Sequence, residues 1–139
     1  ALSAMNSLFA TLGKAPLGGK IGELIAVAGA QSNGCRYCLS AHSAIGASFG
    51  LSPDVLALAR LARSAGQRTE AILKLSVAIN QSRGKVDDAT LASARLAGLT
   101  DAEIVEVVAH VALNAFTNYL NNLAETTIDF PVVPLAAAA

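Results

Sequence analysis

Reactive side chains are concentrated in one short stretch of this sequence, NGCRYCLSAH, at positions 33–42. The stretch contains both cysteines of the chain, Cys35 and Cys38, and it contains His42, one of only two histidines. Two cysteines separated by two residues can cycle between dithiol and disulfide, or they can bind a metal ion. A nearby imidazole can take a proton from a thiol. The stretch therefore predicts either thiol chemistry or a metal site.

The spacing of these residues suits one face of a helix that begins near Cys35. Positions i, i+3 and i+7 lie on a single stripe, and the four-residue step from Cys38 to His42 lets the imidazole reach the thiol. Cys35 and Cys38 are one turn apart, and a disulfide can join them when the first turn is loosened. The helix N-terminus, Arg36 and the imidazole each lower the pKa of a thiol there. We expect one thiolate that attacks and a second thiol that resolves.

Glu23 is the only acidic residue among the first 53 positions, and it lies in an otherwise apolar segment, KIGELIAVAGAQS, at positions 20–32. The segment predicts a helix, and the short link after it makes this helix an antiparallel neighbour of the cysteine helix. A carboxylate about three turns before the link then lies opposite Cys38 and His42. It can orient the imidazole or relay a proton. The alternative is a solvated acid on an amphipathic helix.

Four residues form a longer pattern, which reads Glu, eleven residues, Cys, two residues, Cys, three residues and His: Glu23, Cys35, Cys38 and His42. This pattern resembles the active-site signature of the AhpD-like alkylhydroperoxidases within the carboxymuconolactone decarboxylase family. The tail, EVVAHVALNAFTNYLNNLAETTIDFPVV, is similar to the C-terminal part of the small peroxidase-related members. The resemblance extends from about Lys20 to Val133, and residues 1–19 are less distinctive.

The resemblance implies an all-α fold, trimers or hexamers with active sites near subunit contacts, and peroxide reduction without a cofactor or metal in this chain. It implies that Cys38 is the peroxidatic thiol, Cys35 the resolving thiol and His42 the base. Glu23 is then the far end of the proton relay. An external dithiol, either a lipoyl group or a thioredoxin-like protein, would reduce the disulfide. Arg36 stands where some relatives carry histidine, so no role of that histidine transfers to this chain.

Three other functions fit part of the pattern. A carboxymuconolactone decarboxylase-type lyase needs acid–base groups but has no evident need of a cysteine pair. A metal site would combine Cys35, Cys38 and His42 with Glu23 or His110, but three ligands on one straight stripe span about 10 Å, too far for one ion. A non-enzymatic redox or structural oligomer with inert thiols is the third. His110 is mid-helix beside valines, and we interpret it as a core or interface residue outside the catalytic set.

The whole sequence, residues 1–139 with a tail at 134–139, predicts one all-α domain of six to seven helices. Apolar residues recur at helical spacing, and positions 54–130 contain no proline. The lack of an alternating strand pattern argues against a thioredoxin-like fold. The last helix should bury a face of five residues: Ile104, Val108, Val111, Ala115 and Leu123. Capping and stop signals predict the helices at 20–32, 35–48, 52–66, 67–84, 87–98 and 100–125.

Composition limits the partners of the chain. Of its 139 residues, 53% are hydrophobic and 14% are charged, and the formal net charge is +0. This balance gives no electrostatic footprint for nucleic acid, and no apolar run is long enough to span a membrane. The excess of apolar residues predicts a homo-oligomer. Two cysteines make a poor disulfide framework and the first residues lack a signal-peptide pattern, so we expect a cytoplasmic protein.

Overall fold

The computed structural model describes residues 1–137, and these residues form seven helices and no strand. The predicted all-α class is confirmed. Ala138 and Ala139, the end of the predicted tail, lie outside the described residues. The helices are α1 (Leu2–Leu12), α2 (Gly18–Ser32), α3 (Arg36–Ser48), α4 (Pro53–Arg60), α5 (Gln67–Ser82), α6 (Asp88–Leu96) and α7 (Asp101–Leu123).

Helix α2 lies at the centre of the bundle and packs against α3, α4, α5 and α7. Its residues Leu24 to Ala28 are all buried, and they meet apolar side chains such as Leu39 of α3 and Leu73 of α5. After α2 the chain turns at Gly34, where φ is 63°. Such a left-handed conformation suits glycine, which has no Cβ. The turn directs α3 back along α2, so the two helices share a long contact.

Helix α4 ends at Arg60, six residues earlier than the predicted stop at Gly66. Ala62 adopts a left-handed conformation with φ 54°, which terminates the helix. The N–H groups of Ala62 and Arg63 then donate to carbonyls of the last turn, in the pattern of a Schellman motif. Gly66 is instead the N-cap of α5. Gly66 therefore marks the start of α5 and not, as predicted, the end of α4.

The buried face of α7 differs from the predicted one. Val108 is 46% exposed and Leu123 is 86% exposed, so both predictions of burial are wrong. The buried face instead carries a polar stripe, a series of polar residues at every fourth position: Glu106, His110, Asn114 and Asn118. This polar stripe packs against α2, where Gly22 lies opposite His110 and Gly29 lies opposite Asn114. The two glycines leave the room that the polar side chains need.

The segment after α7 folds back across α2 and α3. The backbone N–H of Val133 donates to Ser40 Oγ at 3.0 Å, and that of Ala136 donates to Gln31 Oε1 at 3.0 Å. The first bond holds the segment against α3, the helix that contains Cys38, and the second holds it against α2. Within residues 1–137, no helix is both long enough and apolar enough to cross a membrane.

Candidate active site

Cys35 is the N-cap of α3, and Cys38 lies in the first turn of the helix. The Cys35 backbone is extended, and its Sγ accepts a hydrogen bond from the backbone N–H of Cys38 at 3.3 Å. A serine or aspartate oxygen more often occupies this capping position. Both cysteines are free thiols, and they are 0% and 3% exposed. The helix start therefore brings the two sulfurs together in a water-poor environment.

Burial raises the pKa of the Cys35 thiol to about 12, and the adjoining Cys38 thiol adds to this effect. Backbone N–H groups of Cys38 and Tyr37 favour the thiolate, but they do not offset its desolvation. The helix start therefore lowers the pKa of Cys35 in the expected direction, but burial has the larger effect and the net shift is upward. At neutral pH this residue is a protonated thiol.

His42 and Glu23 form a close pair between α3 and α2. The Nδ1 atom of His42 and the Oε2 atom of Glu23 are 2.7 Å apart, and their side chains are 11% and 16% exposed. The distance is typical of a charge-assisted hydrogen bond, which fixes the orientation of the ring. Glu23 is thus not a solvated acid. Among the hydrogen bonds of residues 1–137, none joins the His42 ring directly to a cysteine sulfur.

Asn121 of α7 also contacts Cys38, and the sequence alone does not predict Asn121 as a site residue. Its Nδ2 donates to Cys38 Sγ at 3.3 Å and to the carbonyl of Thr117 at 2.9 Å. Cys38 and Asn121 are 83 positions apart, so no local spacing rule links them. The available signal was the run of amides in NAFTNYLNN, whose role the sequence leaves open.

Three further amides anchor the turn that leads into the cysteines. Asn33 Nδ2 donates to Asn118 Oδ1 at 2.9 Å, and Asn80 Nδ2 donates to Asn33 Oδ1 at 2.8 Å. Asn122 Nδ2 donates to the Asn33 carbonyl at 3.1 Å. The turn is therefore tied to α5 and to the C-terminal end of α7, which limits how far Cys35 can move independently.

His110 lies close to this site, although the sequence predicts a core or interface residue outside the catalytic set. Burial lowers the pKa of His110, while the nearby charge of Glu23 acts in the opposite direction. Its Nε2 is 3.8 Å from Glu106 Oε1, too far for a hydrogen bond. A cavity of about 220 Å³ is lined by apolar and polar residues that include Phe9, Leu12, Glu23, His42, His110 and Asn114. The Glu23–His42 pair therefore borders a pocket that is partly open to solvent.

Other parts of the described chain add no second centre of this kind. A larger groove of about 860 Å³ lies between α5 and α6, where Glu70 and Lys74 form part of its lining, and it includes none of the residues above. Across residues 1–137, no group of three or more His, Cys, Asp and Glu side chains is arranged to hold a metal ion. Within residues 1–137, the cysteines and the histidines converge where α2, α3 and α7 meet.

In a comparison with known families, residues 2–76 match the family described as CMD: Carboxymuconolactone decarboxylase family. The chain belongs to the carboxymuconolactone decarboxylase family. The matched region is more than half of the chain and contains Glu23, both cysteines and His42. A comparison with curated proteins found no match.

Solved structures share the fold of this family member. An uncharacterized peroxidase-related protein from a Silicibacter species has a TM-score of 0.78 and 21% identity, with 95% of this chain and 70% of that chain covered. An uncharacterized peroxidase-related protein from Ralstonia eutropha is described as an alkylhydroperoxidase AhpD core. It has a TM-score of 0.78 and 25% identity, and the match covers 87% of this chain and 66% of that chain. A protein of unknown function from Agrobacterium tumefaciens, provisionally named antioxidant defence protein AhpD, has a TM-score of 0.81 and 20% identity. The match covers 95% of this chain and 91% of that chain. The fold is AhpD-like, and the family match and the Ralstonia structure support a function of the peroxidase-related or decarboxylase kind.

Proposed function

We propose that this family member is a thiol-dependent peroxidase that reduces alkyl hydroperoxides and hydrogen peroxide through a dithiol–disulfide cycle of Cys35 and Cys38. One observation carries the proposal: two free thiols lie one turn apart at the start of α3, and a hydrogen-bonded Glu23–His42 pair lies one turn further along. This combination supplies a nucleophile, a resolving thiol and an oriented base. The description of the Ralstonia relative as an alkylhydroperoxidase AhpD core supports peroxide chemistry, and the matched family takes its name from a decarboxylase.

The first half of the cycle oxidises Cys38. His42 takes the Cys38 proton through a bridging water molecule, and the Glu23 carboxylate stabilises the imidazolium that forms. The thiolate attacks the distal oxygen of the hydroperoxide, a sulfur–oxygen bond forms and the oxygen–oxygen bond breaks. The sulfur becomes a sulfenic acid, and the leaving alkoxide takes the proton from His42 and departs as an alcohol.

The second half of the cycle involves Cys35. Its thiol condenses with the sulfenic acid, so that a disulfide forms and water leaves. The raised pKa of Cys35 fits this order, because a protonated thiol does not compete for the peroxide in the first step. An external dithiol, a lipoyl group or a thioredoxin-like protein, then reduces the disulfide by exchange and is itself oxidised to a disulfide. Such a cycle needs a reducing compartment, and we propose the cytoplasm as its location.

Hydroperoxide turnover with dihydrolipoamide as reductant tests this cycle. We expect Cys38→Ser to abolish turnover, because no sulfur remains to attack. Cys35→Ser should turn over far more slowly, because the buried Cys38 sulfenic acid can then be resolved only by a thiol of the external reductant. Ser43→Ala, a change on the same helix outside the pair, is the control and should retain turnover. Turnover in both cysteine variants at the wild-type rate would show that the cycle is wrong.

A carboxymuconolactone decarboxylase-type lyase is the alternative, and the Glu23–His42 pair favours it because acid–base chemistry requires such a pair. The two reactions differ in their need for sulfur. If a variant lacking both cysteines turns over carboxymuconolactone while peroxide is inert with wild type, the lyase is the correct assignment. A non-enzymatic redox or structural oligomer would be oxidised once by peroxide and would not be recycled by any dithiol.

We also propose that the chain forms a homo-oligomer, a trimer or hexamer. An exposed apolar stripe along α7 supports this proposal, because a large exposed apolar surface on a helix usually marks an interface. It consists of Val105, Val108, Phe116, Tyr119, Leu120 and Leu123. Light scattering should give the mass of three or six chains, and Phe116→Glu should reduce it. A monomeric wild-type protein would contradict the proposal.

A further inference from the structure

The side-chain amide of Asn121 lies at the sulfur that reacts in the cycle proposed above. Its Nδ2 is 3.3 Å from Cys38 Sγ, and this sulfur is shielded from solvent. Cys38 is in the first turn of α3, whereas Asn121 is in the last turn of α7. The contact therefore depends on how these two helices pack and not on a local motif.

The orientation of the Asn121 amide is fixed by its second partner. Nδ2 also donates to the backbone carbonyl of Thr117 at 2.9 Å, and a carbonyl oxygen can only accept. Exchanging the amide oxygen and nitrogen would set two acceptors against each other at Thr117. The amide must therefore present an N–H group to Cys38 Sγ. A thiolate accepts such a bond more strongly than a neutral thiol, because it carries the full charge.

Cys35 lacks an equivalent side-chain donor among the described residues. The groups that donate to its sulfur are backbone N–H groups, and burial keeps its proton in place at neutral pH. The two sulfurs are neighbours in the same buried region, yet only Cys38 has an oriented amide from another helix. This asymmetry distinguishes the two cysteines in a way that their spacing alone does not.

We propose that Asn121 is a catalytic residue that stabilises the Cys38 thiolate and so makes Cys38, and not Cys35, the attacking sulfur. It acts beside His42 and not through it, since an amide carries no charge and moves no proton. Its use in peroxide reduction rests on the proposed function. The stabilisation of the thiolate is a property of the resting protein and can be measured without any peroxide.

The test uses a Cys35→Ser background, in which Cys38 is the only thiol. The ultraviolet absorbance of the thiolate and the rate of alkylation by iodoacetamide are both recorded across a pH series. Asn121→Ala should move the midpoint of thiolate formation upward by about one pH unit, and it should slow alkylation near neutral pH by about tenfold. Asn121→Asp, which is close in shape, should move the midpoint further, because a carboxylate repels the thiolate.

Asn122→Ala is the matched control, because it removes an α7 amide that anchors the turn at the Asn33 carbonyl but that donates to no sulfur. It should leave the midpoint unchanged. Equal shifts in Asn121→Ala and Asn122→Ala, or no shift in either Asn121 variant, would overturn the proposal. If Asn121→Ala fails to fold by circular dichroism, Asn121→Asp alone decides the outcome. Inactivity of the wild type towards peroxide would refute the proposed function and leave the midpoint shift standing.

Discussion

Gly22 and Gly29 of α2 lie opposite the polar stripe of α7, but they have different amounts of room. A Cβ atom added at Gly22 would lie 2.9 Å from Cε1 and 3.6 Å from Nδ1 of the buried His110 ring. A Cβ atom added at Gly29 would lie 3.8 Å from Asn114 Cβ, an ordinary van der Waals distance. The same substitution in the same helix therefore has a clash at one position and none at the other.

The expected free energies follow from two contributions. Replacing glycine by alanine inside a helix stabilises it by about 0.5 to 1 kcal/mol, and this gain applies to Gly22→Ala and Gly29→Ala alike. At Gly22 the His110 ring must also move, and overpacking a well-packed site costs about 1 to 3 kcal/mol. The cavity beside the ring gives it space to turn, so the cost falls at the lower end of that range. We expect Gly22→Ala to be less stable than Gly29→Ala by about 1 to 2 kcal/mol.

Urea denaturation of both variants at one protein concentration, followed by circular dichroism, measures this difference. A double-mutant cycle isolates the cause. In a His110→Ala background the clash is absent, so Gly22→Ala should become as favourable as Gly29→Ala. Equal stabilisation by the two alanines in the wild-type background would refute the reasoning, and so would a deficit at Gly22 that persists without His110.

Three further outcomes are expected. Glu23→Gln should lower kcat/KM for peroxide by about a hundredfold, because His42 loses its carboxylate partner; unchanged turnover would exclude the relay. At about pH 8, iodoacetamide should modify Cys38 but not Cys35 in the folded protein, and both in urea, as peptide mass mapping would show. Burial lowers the pKa of His110 in the folded protein. As the pH falls below about 6.5, the His110 imidazole is therefore protonated in the unfolded chain before it is protonated in the folded protein. The free energy of unfolding should therefore decrease from that pH downward, and His110→Gln should flatten the curve; an equal slope in the variant would assign the effect to other groups.

Local signals account for most of what the sequence predicts of the fold. The capping box of Thr100 and Glu103 and the N-cap of Ser52 are both present, because each depends only on residues within one turn. The pairing of Glu23 with His42 also follows from the sequence, since two helices joined by a short link must lie side by side. These features need no knowledge of the rest of the bundle.

Features that depend on distant parts of the chain are not predictable in this way. Apolar residues occur on both sides of α7, so periodicity alone does not show that Val108 faces outward. The contact between Asn121 and Cys38 and the high pKa of Cys35 both arise when α7 and its neighbours enclose the start of α3. Spacing within one helix contains no information about that enclosure.

The polar stripe of α7 restricts the register in which α7 can pair with α2. Glu106 Oε1 accepts a hydrogen bond from the N–H of Leu17 at 3.1 Å, and the ring of His110 lies over Gly22. A shift of α7 by one residue would translate it by about 1.5 Å and rotate it by about 100°. The polar side chains would then lose Leu17 and the α2 glycines and would lie against apolar side chains instead. A stripe of valines would tolerate such slippage, because any valine buries a similar area. The same discrete register also sets the distance from α7 to Cys38, so the residues that specify how two helices align also determine the surroundings of the reactive sulfur.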